Sequence, residues 1–318
     1  MALPRPRSRP RFHRMASLVA VAALVAGACA NAPGGSQAVR FTETAPAATP
    51  MAPAPSLPAR TPTPDCAEPV GRVEALSYPG VVVREPIPLR VYLPPCYDNS
   101  DTRFPVAYLL HGKPYDETHW EDLGVSVIAD QSIASAEWPP FLLVMPLQPE
   151  PIFSNSDGGR WSYEEEMVEG LVPFIDDTYR TDARPEARAL AGISRGGVWA
   201  LEIGFRNPTL FGAVGALSPA LAVNHPRPAY DPFQIVLEAS SLPPRIFLAA
   251  GDSDWARPAT ERLGQVLAED GWVHTLVILP GSHEDGTWQS TLRPLLAFFA
   301  AAWESVDTGI GPPRPTIP

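Results

Sequence analysis

Eight short apolar runs, separated by longer stretches of helical pattern, constrain this chain more than any other feature of its sequence. Residues 70–78 and 87–93 read as opening strands, paired antiparallel. Runs at 105–110, 141–145, 187–193, 212–217, 246–250 and 274–279 read as further strands. Helical patterns fall near 126–136, 163–179, 196–206, 233–240, 259–270 and 287–303. A strand covered on both faces has no polar side, so its sequence is continuously apolar. Such strands alternating with helices predict an α/β domain with a mostly parallel sheet and helices on both faces. In sheets of this kind, chemistry belongs at the carboxyl ends of the strands.

That pattern occupies residues 66–305, and the flanks read differently. Arg5, Arg7, Arg9, Arg11 and Arg14 form a basic segment ahead of the short apolar run from Ala16 to Ala28. The run is shorter than the roughly 20 residues of a membrane-spanning helix, so residues 1–30 are expected to be a secretory signal peptide. Val25-Ala26-Gly27-Ala28-Cys29 resembles a bacterial lipoprotein signal, which predicts lipidation of Cys29. Ordinary cleavage after an A-x-A site is the alternative. Of the 40 prolines, eight lie between Asn31 and Asp65, where large apolar residues are nearly absent. Residues 31–65 therefore read as a disordered tether, and 306–318 as a disordered tail.

The chain has three cysteines, Cys29, Cys66 and Cys96. An odd count in an exported protein leaves one thiol to explain. Lipidating Cys29 removes it, and parity then predicts a Cys66–Cys96 disulfide. Localisation is expected to be extracytoplasmic, with the membrane reached only through the lipid anchor. The net charge of −11 argues against nucleic acid as a partner, because neutralising phosphates takes a basic face.

The strongest chemical signal is Gly192-Ile193-Ser194-Arg195-Gly196, a G-x-S-x-G between an apolar strand pattern and a helical one. A sharp strand-to-helix turn there exposes the serine hydroxyl at a helix head, where N–H groups and the dipole favour developing negative charge. Serine is a weak nucleophile until a base takes its proton, and the base needs an acid to orient it. Of the histidines downstream, His225 precedes every acid-bearing strand end and His274 falls within an apolar strand pattern. His283 follows the last strand in a loop able to reach the serine, and is the expected base. The strand at 246–250 ends in Gly251-Asp252-Ser253-Asp254, and Asp254 is the expected acid, with Asp252 as the alternative. One of the two aspartates is available for helix capping.

His111-Gly112-Lys113 follows the third strand. The backbone N–H groups of Lys113 and Arg195 are the expected oxyanion donors, since Pro114 has none. The Arg195 side chain has two readings, a contact to an anionic substrate group or a plain salt bridge. No His, Cys and acid cluster has metal-ligand spacing, so neither metal nor organic cofactor is implied.

These residues resemble the Putative-esterase family of α/β-hydrolases, which includes esterase D, feruloyl esterases, enterochelin esterases and mycolyltransferases. The resemblance spans about residues 87–303. It is densest in Leu171-Val172-Pro173-Phe174-Ile175-Asp176 with Tyr179-Arg180, and in Ala191 to Gly197. Asn207-Pro208, Leu210-Phe211-Gly212, Leu217-Ser218-Pro219 and His111-Gly112 with Asp116-Glu117 and Trp120 extend it. The resemblance implies the α/β-hydrolase fold, a Ser194–Asp254–His283 triad, and oxyanion amides at Lys113 and Arg195. It implies hydrolysis of a carboxylic ester, small or polysaccharide-linked. Transfer of the acyl group to another acceptor, or a tethered non-catalytic binding module, are the rival readings. The chain departs from the family at Pro114-Tyr115, where many members have two glycines, which puts the shape of the acyl pocket in question. The stretch 153–163 is either the pocket mouth or a solvated surface loop.

Overall fold

The computed structural model describes residues 68–99, 101–155 and 157–307. The leader and tether segments, Cys29, Cys66 and the tail from residue 308 lie outside the described residues. The chain divides into two units, 1–60 and 61–318, and the second contains every element that follows.

All eight apolar runs are strands: β1 Arg72–Pro79, β2 Pro86–Leu93, β3 Val106–Leu110, β4 Leu142–Pro146, β5 Arg188–Ile193, β6 Ala213–Leu217, β7 Arg245–Gly251 and β8 Thr275–Leu279. They form one sheet in the order β1-β2-β4-β3-β5-β6-β7-β8. Antiparallel pairing is confined to β1 with β2 and β2 with β4; every other neighbour is parallel. β3, β4, β5 and β6 are buried at every position, as continuously apolar strands must be.

Nine α-helical segments are described: α1 His119–Asp122, α2 Val125–Ala134, α3 Ile152–Asn155, α4 Tyr163–Glu165, α5 Val172–Thr178, α6 Arg195–Arg206, α7 Pro232–Glu238, α8 Arg257–Glu269 and α9 Asp285–Asp307. Ala107 and Leu109 of β3 pack with α2 and α9 on one face of the sheet. Val106, Tyr108 and Leu110, pointing the other way, pack with α5 and α6. α8 completes that second face against Val214, Ile246 and Leu248.

Two features differ from the periodicity. The helix expected over 163–179 is broken by a π-helical stretch, Glu166–Leu171. This stretch carries the fully buried Glu166, whose carboxylate accepts from the N–H groups of Val81, Val82 and Val83. That bond set ties the β1–β2 turn to the helix layer, and burying the carboxylate without those donors would cost several kcal/mol. α9 also runs beyond residue 303 to Asp307, shortening the expected tail. Cys96 is disulfide-bonded; no other cysteine falls among the described residues, so its partner lies outside them.

Candidate active site

The turn from β5 into α6 leaves no room for side chains at its glycines. Ser194 sits between them at φ 53°, ψ −114°, a conformation that L residues hold only when their surroundings enforce it. The enforcement is steric and hydrogen-bonded. A Cβ on Gly192 would lie 2.1 Å from the Gly196 carbonyl oxygen, and one on Gly196 would lie 2.3 Å from that of His111. The Ser194 N–H donates to the Leu217 carbonyl at 2.9 Å, locking the elbow to β6.

Three segments far apart in sequence meet at the Ser194 hydroxyl. His283 Nε2 lies 2.9 Å from Ser194 Oγ, and His283 Nδ1 lies 2.9 Å from Asp254 Oδ1. The Asp254 side chain is fully buried. Burial alone would raise its pKa, but the bonds from His283 and the Ala256 N–H outweigh this and hold it below the ordinary carboxylate value. An ionised Asp254 requires the proton on Nδ1 of His283, which leaves the Nε2 lone pair to accept from the serine hydroxyl.

Asp252, two residues earlier, does different work. It is exposed, and its Oδ1 accepts from Ser253 Oγ at 2.9 Å and from the Gly281 N–H at 3.2 Å. It braces the turn that carries His283 and does not touch the imidazole. Of the other histidines, His225 is exposed and His274 contacts the Trp272 carbonyl.

Ser194 opens into a cavity of about 310 Å³ lined by Lys113, Ser154, Ser194, Arg195, Ala220, Val223, Asn224 and Trp255. Lys113 and Arg195 thus border the same space as the serine. Gly112 lets the preceding loop press against the elbow, since a Cβ there would lie 3.3 Å from the Ser194 Cβ. That loop is held from behind by Gln148, whose N–H donates to His111 Nε2 at 3.0 Å and whose side-chain amide donates to the His111 carbonyl at 2.6 Å. Burial pushes the pKa of His111 down to about 4, so it stays neutral and able to accept.

The Lys113 ammonium reaches out to Glu150 at 2.9 Å and to Ser154. The Arg195 guanidinium donates to the Phe153 carbonyl at 3.1 Å and to Asn224 Oδ1, and lies over the Trp199 ring. Asn224 in turn donates to Glu202 at 3.2 Å. Burial pushes the Glu202 carboxyl up to about 8. The Arg195 side chain is thus built into the cavity wall through the Phe153 carbonyl and the Asn224 amide oxygen.

The stretch 153–163 divides. Its start belongs to the cavity, through Ser154 and the Phe153 carbonyl. Its middle turns away: Asp157 pairs with Arg227, and Gly158 and Gly159 back onto the Tyr230 ring. Trp161 is 59% exposed. A larger cavity of about 570 Å³, lined by residues such as Arg160, Glu165 and Arg206, lies along the same stretch and includes neither Ser194 nor His283. Tyr115, in the segment that departs from the family pattern, stacks on His119 and packs edge-on against Trp288.

The sequence reading did not include Ala220, Val223, Asn224 or Trp255 among the cavity residues. Only Trp255 carries a local sign, an aromatic directly after Asp254, 46% exposed with its ring 4.4 Å from that of His283. Among the described residues, no group of three or more His, Cys, Asp or Glu side chains is placed to hold a metal ion.

The sheet order, with a serine elbow after β5, an acid after β7 and a histidine after β8, defines an α/β-hydrolase fold. The chain belongs to the family described as Putative esterase, whose model matches residues 81–299. It is 30% identical over 213 residues to an endo-1,4-beta-xylanase/feruloyl esterase of Xylanibacter ruminicola, a match covering 64% of this chain and 28% of that protein. It is 30% identical over 122 residues to Esterase Rv1288 of Mycobacterium tuberculosis, covering 36% of this chain and 25% of the other. This chain thus spans about a quarter of the length of either relative.

Among solved structures, a ferulic acid esterase superposes with a TM-score of 0.66 at 24% identity, covering 74% of this chain and 99% of that one. An S-formylglutathione hydrolase from Staphylococcus aureus superposes at 0.63 with 16% identity, covering 72% and 99%. These likenesses carry the fold.

Proposed function

We propose that this protein is a carboxylic ester hydrolase that works through an acyl-enzyme on Ser194. The observation that carries the reading is the continuous relay from Ser194 Oγ through His283 to the buried Asp254, with both contacts at 2.9 Å. Membership of an esterase family supports the same reaction class.

As Ser194 Oγ bonds to the ester carbonyl carbon, its proton passes to His283 Nε2 and the carbonyl electron pair moves onto oxygen. Asp254 stabilises the imidazolium without taking its proton. The oxyanion is received by the backbone N–H groups of Arg195 and Lys113, each worth about 3 kcal/mol of transition-state stabilisation. Collapse expels the alcohol, which carries away the proton held by His283. Water then repeats the sequence through the same base and frees the acid.

A p-nitrophenyl ester series from acetate to decanoate tests the reading, with the full chain and its Ser194→Ala variant. The wild type is expected to turn over and the variant to lose about 10⁴-fold or more of kcat. Undiminished turnover by Ser194→Ala, or no turnover and no labelling of Ser194 by a fluorophosphonate, sinks it. Feruloyl esters linked to polysaccharide are the first natural substrates to try, given the names of the similar proteins. From the leader we infer export with a lipid on Cys29, and an unacylated mature N-terminus at Asn31 would contradict that.

A further inference from the structure

The loop that presents Lys113 and the loop that presents His283 are joined by a set of contacts the reaction itself does not use. Asp285, two residues beyond His283, accepts from the Tyr115 hydroxyl at 2.9 Å. The same oxygen, Asp285 Oδ1, lies 3.2 Å from Nε2 of His119. Tyr115 stands two residues beyond Lys113, and its ring is stacked on that of His119 at 3.6 Å and 5°.

His119 is 2% exposed, and its Nδ1 has no hydrogen-bond partner. A neutral imidazole with Nδ1 unpaired carries its proton on Nε2, the nitrogen facing Asp285. The carboxylate oxygen thus receives two donors from one loop. Trp288, on the next turn of α9, sets its ring edge-on to Tyr115, His119 and His283 at 6.1, 5.7 and 5.1 Å. The aromatic stack that grips the donor loop therefore also flanks the base.

We infer that Asp285, Tyr115 and His119 form a clamp that sets the distance between the Lys113 amide and the His283 imidazole. The inference rests on the hydrolase reading above. The three are positioning residues: they act through Lys113 and His283 and do not touch the reacting atoms. Such a clamp has a physical purpose. The amide and the imidazole come from the ends of β3 and β8, which lie four places apart in the sheet order, and both must meet one carbonyl. Two loops free to drift by about 1 Å would lose on the order of 100-fold in rate.

The test is a double-mutant cycle on full-length protein with p-nitrophenyl acetate. Asp285→Ala removes the acceptor, and Tyr115→Phe removes the hydroxyl while keeping the stack. Each is expected to lower kcat about tenfold with KM within about twofold, and the double variant to fall no further than the worse single variant. Asp285→Asn keeps the carbonyl acceptor for Tyr115, so its kcat is expected within about twofold of wild type. Additive losses, an unchanged kcat, or an Asn variant as poor as Ala would each overturn the clamp. So would a lowered melting temperature with unchanged kcat per folded molecule.

Amide hydrogen exchange separates this idea from the hydrolase reading, because it needs no turnover. In Asp285→Ala, residues 111–118 are expected to exchange faster although they lie some 170 positions away in sequence. Unchanged exchange there refutes the clamp whatever the enzyme does. An inactive wild type whose loop exchanges faster in the variant refutes the reaction and leaves the clamp standing.

Discussion

Around Ser194 the backbone is held chiefly by main-chain approaches that leave no room for side chains, whereas the loop carrying His283 adds several side-chain contacts to one such approach, that of Gly251 to the Gly281 carbonyl. Gly192, Gly196 and Gly112 bring three pieces of main chain together at the elbow. The base loop adds the Asp254 carboxylate, the Asp252 brace, the rings of Trp255 and Trp288, and the Asp285 contacts. The contrast follows from what each part has to do. The elbow stores a fixed, strained conformation, which close packing enforces at no cost in mobility. The base must swing a proton between two partners, which hydrogen-bonded and aromatic contacts permit.

The comparison is sharpest at the two aspartates of the β7 loop. Asp254→Asn is expected to lower kcat by about 10³–10⁴-fold, because the amide no longer fixes the Nδ1–H tautomer or stabilises the imidazolium. Asp252→Asn keeps an oxygen acceptor on an exposed brace, and kcat is expected to stay within about threefold of wild type. Steady-state kinetics on both variants checks the pair, and equal losses would break the assignment of roles.

Next in size, Gly192→Ala is expected to cost about 3 kcal/mol of stability, together with most of the activity. Its Cβ would meet the Gly196 carbonyl at 2.1 Å, and neither partner is a flexible side chain. Denaturant unfolding measures the cost; a variant as stable as wild type would show that the elbow is looser than its contacts imply.

A third prediction concerns the wall behind the elbow. Glu202 is raised by burial to about 8, well above the usual glutamate range near 4.3. The folded state therefore holds the proton more tightly than the unfolded one. Stability should fall as pH rises from about 4.5 to about 8, and stay flat in this respect below that window. Glu202→Gln keeps the oxygen facing Asn224 without the charge. Its melting temperature should exceed that of wild type at pH 8.5 and match it at pH 4.5, with about 2–4 °C for each kcal/mol recovered. The smallest effect is expected for Trp255→Leu, which trims an exposed cavity wall: KM for an aryl ester should rise about threefold with kcat within about twofold.

Much of the fold was legible in the sequence because strands buried on both faces have no choice of composition. Each of the eight runs became a strand within about two residues of the expected bounds. The four-residue helices His119–Asp122 and Ile152–Asn155 were not legible, being too short to show a period. The π-helical Glu166–Leu171 was hidden for another reason. Its cause, the bonds from Glu166 to residues 81–83, lies more than 80 positions away.

At the site, Ser194 and His283 could be named because a strained turn and a loop after the last strand leave local marks. At the strand end Asp254 was the expected acid, but nothing local to the sequence excluded Asp252. What sequence by itself determined here is the set of strands and the turn that exposes the serine, since periodicity and glycine placement are local properties. Only the tertiary structure decided which aspartate faces His283, which five segments wall the 310 Å³ cavity, and that Tyr115 meets Asp285. Those are distances between parts of the chain remote in sequence, and they exist only once the sheet order has brought the strand ends together.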